Sequence, residues 1–177
     1  NVEKEYFDWL NRRGSYEAYI EKVVQEFILN IKGVPVKTLQ RIAKGVVASQ
    51  KYMVYRFTRG LIARFKKENY FLVAISGSPT EVVSEFAKAY GFSEYYGGEY
   101  EKKGGVFTGK QTFDPFRQGK YLIVNKLLEK HPSINLSSSA AIGDSGGDIS
   151  MLAMVGKPIA FNPNSILAAE AKKKKWR

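Results

Sequence analysis

The first third of the chain alternates apolar and polar side chains with the period of an α-helix. Apolar residues recur every three or four positions over residues 6–10 and 16–28, which predicts two amphipathic helices. Ser15 directly precedes the second stripe and is predicted to cap that helix, because a serine hydroxyl accepts hydrogen bonds from the first N–H groups of a helix. Two more helices are predicted, over about residues 35–47 with proline in the first turn, and over about 52–69.

The pattern changes at Tyr70, after which short apolar runs alternate with helical segments. The predicted strands are 70–75, 139–142 and 158–161, the predicted helices are 79–90, 116–130, 149–155 and a segment from 165 onward, and a predicted β-hairpin covers 95–101 and 105–113. Strands that alternate with helices are typical of an α/β fold with a doubly wound, Rossmann-like parallel sheet. We therefore expect a helical cap over residues 1–55 and an α/β core with a small hairpin over 56–177.

Composition excludes several kinds of site. The chain has no cysteine, which rules out disulfides, thiolate nucleophiles and thiolate metal ligands. No apolar run approaches the ~18 residues of a membrane span, and the charged segment 1–10 does not resemble a signal peptide. We therefore expect a cytoplasmic protein without a membrane partner.

The formal net charge of +11 raises the question of a nucleic-acid partner. Much of the excess lies on dispersed helix faces and in the terminal run 172–175, and such runs are usually solvated. No recognisable nucleic-acid motif accompanies the charge, so no specific nucleic-acid partner is expected. A positive field also favours anionic phosphate substrates.

The most informative segment is AAIGDSGGDISML, at residues 140–152. A short apolar strand ends in Gly-Asp, which places Asp144 at the carboxyl end of the strand, where open α/β sheets bind ligands. Asp148 follows four residues later, where a helix begins and a carboxylate suits the helix dipole. Mg²⁺ is typically held by one or two carboxylates together with phosphate oxygens, so the segment fits a magnesium and phosphate site. A plain strand-to-helix turn with an aspartate cap is the alternative reading.

Two other positions fit a phosphate site. Ser76-Gly77-Ser78-Pro79-Thr80 leaves a strand and opens a helix, so a hydroxyl, a glycine amide and a helix N-terminus together form an anion cradle. A serine N-cap followed by proline is the alternative there. Lys120 begins an amphipathic helix, where a cation is unfavourable against the helix dipole, so it is either functional or an exposed surface lysine.

Four segments occur in a fixed order: AISGSPTEVV, QGKYLIVNKLL, AAIGDSGGDISML and KPIAFNP. Their order and spacing resemble the haloacid dehalogenase-like (HAD) hydrolases, specifically the phosphoserine phosphatase-like branch (subfamily IB) with a helical cap. The resemblance covers nearly the whole chain. It implies a Mg²⁺-dependent phosphatase in which an aspartate on the first strand attacks the phosphoryl group and forms an aspartyl-phosphate. A second aspartate two residues later acts as general acid and base.

The resemblance also implies a role for five residues. Ser76 and the amide of Gly77 would bind a phosphoryl oxygen, and Lys120 would neutralise charge on the nucleophile and the phosphoryl group. Asp144 would bind Mg²⁺, while Asp148 would orient the metal shell or Lys120. Ser76 and Lys120 are thus the predicted catalytic residues present in the chain.

The family's first-strand motif, Asp-x-Asp, is absent from the chain. The four aspartates stand at positions 8, 114, 144 and 148, so no pair has the required spacing. The family places the missing strand between the strands predicted at 70–75 and 139–142. Its omission would separate these neighbours by about twice the ~4.8 Å spacing of a sheet and leave two rows of backbone groups unpaired. We therefore expect the nucleophile on a segment upstream of Asn1, and predict that residues 1–177 alone are inactive.

The sequence hypothesis is a Mg²⁺-dependent hydrolase of a small phosphorylated metabolite. Two alternatives stay open: a catalytically inactive relative that binds a phosphorylated ligand, and a basic module that binds nucleic acid or an anionic membrane surface. Gly147 departs from the branch, because phosphoserine phosphatases commonly have asparagine at that turn position. This departure argues against serine specificity.

Overall fold

The computed structural model describes residues 2–177, so Asn1, the first residue of the predicted cap, lies outside the described residues. The helices of this range are α1 (Glu3–Leu10), α2 (Tyr16–Ile31), α3 (Val36–Gln50), α4 (Arg56–Lys67), α5 (Thr80–Tyr90), α6 (Pro115–Gln118), α7 (Lys120–Lys130), α8 (Ile149–Leu152) and α9 (Ser165–Lys174). The strands are β1 (Val73–Pro79), β2 (Glu94–Lys103), β3 (Val106–Phe113), β4 (Ala140–Gly143) and β5 (Lys157–Ala160). The α/β class predicted from the alternation is confirmed.

Local signals define the ends of the helices in the first half. The Ser15 hydroxyl accepts a hydrogen bond from the N–H of Ala18 at 3.1 Å, which confirms the predicted cap of α2. Pro35 directly precedes α3, as its fixed φ favours. The predicted start of the fourth helix at about residue 52 is wrong: Tyr55 has an extended backbone and α4 begins after it, at Arg56.

The strands form two separate sheets within the described residues. Strand β1 pairs in parallel with β2, which pairs antiparallel with β3 as the predicted hairpin. Strands β4 and β5 form a parallel pair of their own. The predicted strand at 70–75 is shifted toward the C-terminus, because Pro79 still pairs with Gly98 of β2 after an irregularity in register.

The predicted helix over 116–130 is interrupted at Gly119. This glycine has a φ of +91°, a conformation that L side chains rarely adopt, and it separates α6 from α7. The break makes Lys120 the first residue of α7 and leaves the short helix α6 as a separate connector after β3.

Buried apolar residues support this arrangement. One cluster lies where α2 and α3 meet the hairpin and contains Ile31, Leu39, Tyr100 and Phe107. Helices α7, α8 and α9 each contribute a fully buried side chain, namely Ile123, Leu152 and Leu167. No helix in residues 2–177 has the length and apolarity needed to cross a bilayer.

An apolar groove of about 500 Å³ lies between β1 and β4. Its walls include Val73 and Ile75 of β1, Ala140 and Ile142 of β4, and apolar side chains of α4 and α7 such as Phe65. Strand β1 is the end strand of its sheet, and β4 has only β5 as a partner, so within residues 2–177 each strand has one unpaired edge. The interruption expected from the absent strand is therefore present as a groove between two half-sheets.

Candidate functional site

The turn after β4 is organised around the buried carboxylate of Asp148, which is 2% exposed. Its Oδ2 accepts hydrogen bonds from the N–H of Asp144 at 3.0 Å, the N–H of Ser145 at 3.0 Å and the Ser145 hydroxyl at 3.1 Å. A Cβ on Gly143 would lie 2.4 Å from the Asp148 Cβ, so the approach of this side chain requires glycine in the strand. Asp148 therefore fixes the turn rather than presenting both oxygens to a ligand.

The second oxygen of Asp148, Oδ1, accepts a hydrogen bond from the Nζ of Lys120. The lysine side chain is only 13% exposed, so the pair is shielded from solvent. Burial opposes ionisation of Asp148, but the charge and hydrogen bond of Lys120 and the two turn amides outweigh it and hold the pKa of this carboxyl below its usual value. The structure thus brings together two predicted site residues that are 28 positions apart.

Asp144 has a different environment from its neighbour four residues later. Its side chain is exposed, and its carboxylate has no hydrogen-bond or ion-pair partner among the described residues. Burial, and after it the negative charge of Asp144, raise the pKa of Tyr16 on α2, so that phenol lies within electrostatic range of the carboxylate. Asp144 is accordingly the carboxylate of this turn that is open to a cation.

The Ser76 segment lies at the carboxyl end of β1. The Ser76 hydroxyl accepts a hydrogen bond from the N–H of Ser78 at 3.2 Å, and α5 begins only at Thr80. The alternative of a serine N-cap followed by proline is therefore wrong, because Pro79 itself is the capping residue and forms no side-chain cap. Gly77 is exposed at the end of the strand.

Phe116 of α6 connects the Ser76 segment to the Asp144 turn. A Cβ on Gly77 would lie 3.7 Å from the Phe116 Cβ, and a Cβ on Gly147 would lie 2.9 Å from its ring carbon Cδ2. The two loops therefore lie on either side of the Phe116 side chain, and Lys120 follows Phe116 four positions later in the chain. Sequence reasoning missed Phe116, although the Asp-Pro-Phe sequence before Lys120 indicated a capped turn at this place.

Helix α2 reaches over the same loops. Glu17 accepts a hydrogen bond from the side-chain amide of Asn164 at 3.0 Å, and Glu21 pairs with Arg117 of α6 at 2.6 Å. The backbone of Asn164 in turn donates to the carbonyl of Asp144 at 2.7 Å. The predicted cap segment thus contacts the turn and α6, while the predicted domain boundary at residue 55 stays a prediction.

His131 lies away from these loops, in a polar cluster at the opposite end of α7. Its Nε2 is 2.7 Å from Glu94 Oε1, and its ring packs on Phe71 with 4.7 Å between centroids. Hydrogen bonds from Lys130, Tyr96 and His131 lower the pKa of Glu94 to about 2. The histidine is half-buried and has a structural role, so it is not a candidate for catalysis.

The haloacid dehalogenase-like hydrolase family matches residues 4–153, and the chain belongs to this family. Phosphoserine phosphatases are among its relatives: SerB1 of Mycobacterium tuberculosis (strain ATCC 25618 / H37Rv) is 30% identical over 103 residues, which cover 58% of this chain and 33% of that protein. The phosphoserine phosphatase of Methanocaldococcus jannaschii is 22% identical over 184 residues, which cover 96% of this chain and 84% of the relative. The predicted resemblance to the phosphoserine phosphatase-like branch is confirmed.

The fold is shared with a solved protein of unknown function from Bordetella pertussis Tohama I. That structure has a TM-score of 0.77 at 18% identity and is matched over 99% of this chain and 78% of its own. The chain spans a third of the mycobacterial SerB1 and 42% of the Archaeoglobus fulgidus phosphoserine phosphatase.

Proposed function

We propose that the chain forms the main part of a Mg²⁺-dependent hydrolase of small phosphorylated metabolites that works through an aspartyl-phosphate. The observation that carries the proposal is the meeting of three segments at one place. The Ser76 segment and the Asp144 turn both lie next to Phe116, and Lys120 is held at the same turn by Asp148. A hydroxyl, a lysine ammonium and an open carboxylate are the groups that phosphoryl transfer needs, since its catalysis consists mainly of positioning and charge stabilisation.

Each side chain then has a distinct task. Ser76 and the Gly77 amide bind a phosphoryl oxygen. Lys120 has three N–H donors, of which the bond to Asp148 uses one, so two remain for the nucleophile and the phosphoryl group. Asp148 holds the ammonium in place through this bond, and is a positioning residue.

The carboxylates present in the chain fit one half of a magnesium site. Residues 2–177 contain no group of three or more histidine, aspartate or glutamate side chains able to hold a metal ion. Asp144 alone is open, which agrees with the tendency of Mg²⁺ to bind one or two carboxylates together with substrate phosphate and water. Bound there, Mg²⁺ would supply positive charge that reduces the repulsion between a carboxylate nucleophile and an anionic substrate.

We assign the nucleophile to a segment outside residues 1–177 that enters the groove between β1 and β4. Both strands end at loops that lie next to Phe116, which fits a strand inserted between them and parallel to both. Such a strand would satisfy two unpaired edges and bury apolar side chains in the groove. Its carboxyl end would deliver an aspartate to Ser76, Lys120 and Asp144.

The test compares residues 1–177 with the same chain extended by the residues encoded before Asn1. We expect the extended chain to hydrolyse p-nitrophenyl phosphate in the presence of Mg²⁺, and residues 1–177 to be inactive. Asp144→Asn in the extended chain should abolish turnover, whereas Asp8→Asn, a surface carboxylate of α1 paired with Arg13 at 3.5 Å, should not. Full activity in Asp144→Asn, or turnover by residues 1–177 alone, contradicts the assignment.

An inactive relative that binds a phosphorylated ligand is the second candidate, because the described residues hold the phosphate-binding groups without the nucleophile. It predicts phosphate binding with no turnover in the extended chain. A cytoplasmic location stays a prediction for either function.

A further inference from the structure

Phe116 lies at the contact of the two loops assigned to phosphate and metal, yet the proposed chemistry does not use it. Phe116 is 47% exposed, while the preceding Pro115 is less than 2% exposed. Phe116 thus follows a buried residue and is itself partly open to solvent. An exposed aromatic face beside a phosphate site is placed to contact the organic part of a phosphate ester.

The surrounding bonds hold this ring in position. The N–H of Phe116 donates to Asp114 Oδ1 at 2.9 Å, which caps the short helix α6. The next residue, Arg117, pairs with Glu21 of α2 at 2.6 Å and lies 3.8 Å from Asp114. The backbone of Phe116 is therefore fixed from both sides, so ring placement costs little entropy when a ligand binds.

Gly147 makes room for the ring. A Cβ at this position would lie 2.9 Å from Cδ2 of Phe116, closer than real Cβ contacts, and 3.0 Å from Cε2, so the ring would have to shift. Any larger side chain at residue 147 would displace the ring from the phosphate loops. Gly147 therefore leaves a space that the Phe116 ring occupies, so an aromatic surface lies where a side chain of residue 147 would otherwise be.

The charged groups nearby do not compete for this role. Glu17 and Glu21, the carboxylates that α2 brings to the loops, are bonded to Asn164 and Arg117. Tyr16, near Asp144, contributes a second aromatic side chain. Helix α2 thus adds to the phosphate loops an aromatic side chain and two carboxylates that already have partners, while Asp144 stays open to a cation.

We infer that Phe116 is a specificity-determining residue that packs against the alcohol part of the substrate, and that the site prefers phosphate esters of planar, apolar alcohols such as aryl phosphates. The inference rests on the proposed function, because it takes Ser76, Gly77 and Lys120 as the phosphate-binding groups. Aromatic pairs of this kind add ~1 kcal/mol to binding. That corresponds to a dissociation constant roughly fivefold lower for an aryl phosphate than for phosphate alone.

Binding to the extended chain of the previous test, with Mg²⁺ omitted so that the ligands are not hydrolysed, tests this inference. Isothermal titration calorimetry of that chain measures the affinities of phenyl phosphate, phosphoserine and inorganic phosphate. The variants are Phe116→Ala, Gly147→Ala and the double substitution. Phe71→Ala is the matched control, because Phe71 is 43% exposed and packs on His131 at the far end of α7.

We expect phenyl phosphate to bind about fivefold tighter than phosphate or phosphoserine. Phe116→Ala should remove that preference, with the affinity for inorganic phosphate unchanged, and Phe71→Ala should preserve it. Gly147→Ala should weaken phenyl phosphate binding only while the ring is present, so the double substitution should equal Phe116→Ala. Phosphate binding without an aryl preference, or a preference that survives Phe116→Ala, overturns the inference and leaves the proposed function intact. If no phosphate ligand binds, both are overturned.

Discussion

Replacing Lys120 by methionine isolates the buried ion pair on which the site is built. The substitution keeps the length of the side chain and removes the charge that faces Asp148. It leaves a carboxylate that is 2% exposed without its cation. Breaking a buried pair by removing one partner costs ~3–5 kcal/mol, because the remaining charge cannot return to water.

The structure places the expected loss at the lower end of that range. Asp148 keeps three hydrogen bonds from the turn, and the Lys120 side chain retains 13% exposure. We expect a loss of about 3 kcal/mol in the free energy of unfolding, or a fall in Tm of about 6–12 °C for a chain of this size. Urea denaturation followed by circular dichroism measures it. Lys126→Met, an exposed lysine of the same helix that lies 5.2 Å from the Phe113 ring, is the control and should lose at most ~1 kcal/mol.

The pH dependence of the stability of Lys120→Met provides a second test, and its sign can be predicted. In the unmodified chain the pKa of Asp148 is lowered, so its contribution to stability is present above the ordinary value and is lost as pH falls through the lowered one. Without Lys120, burial dominates and raises the pKa of Asp148. Protonation of Asp148 at acidic pH then removes the cost of its buried charge. Between about pH 7 and about pH 4, the free energy of unfolding of Lys120→Met should therefore fall less than that of the unmodified chain, or should rise. A cost below ~1 kcal/mol, or identical pH slopes, would refute the reasoning.

Two further predictions concern stability. Glu94→Gln removes a carboxylate whose pKa is lowered from 4.5 to about 2, so stability gained from Glu94 is present above 4.5 and lost as pH falls toward about 2. The unmodified chain should thus lose more free energy of unfolding than Glu94→Gln over that range in acid titrations followed by fluorescence, and equal losses would contradict the assignment. Gly143→Ala places a Cβ 2.4 Å from that of Asp148 and should cost ~1–3 kcal/mol by chemical denaturation. Gly60→Ala on α4, with nothing within 4 Å of the added Cβ, is its control and should stabilise by ~0.5–1 kcal/mol; equal effects of the two substitutions would show that the predicted contact is absent.

Most of the local structure could be predicted because its signals lie within a few residues of where they act. Ser15 caps α2 through a bond to the residue three positions on, and Gly91 ends α5 in a left-handed conformation. The break at Gly119 was not predicted, because its local signal is ambiguous. A single glycine within a predicted helix looks like a tolerated helix residue, and only its φ of +91° shows that two helices meet there.

The candidate site was likewise predictable only in its local motifs and not in its assembly. The order of the serine segment, the lysine and the Gly-Asp turn was sufficient to identify the family, because those motifs are local. Their assembly depends on contacts across the chain, such as the bond from Lys120 to Asp148 and the packing of Phe116 against Gly77 and Gly147. Spacing along the sequence does not report such contacts.

The sequence by itself determined the α/β class and the family and predicted the residue types of a candidate phosphate site, because helix periods, caps and motifs depend on neighbouring residues. The tertiary structure decided the rest. It separated β1 from β4 and left an apolar groove between them, because strand pairing depends on which edges meet in space. It also assigned different roles to two aspartates four residues apart, since burial and the position of Lys120 engage Asp148 while Asp144 stays open.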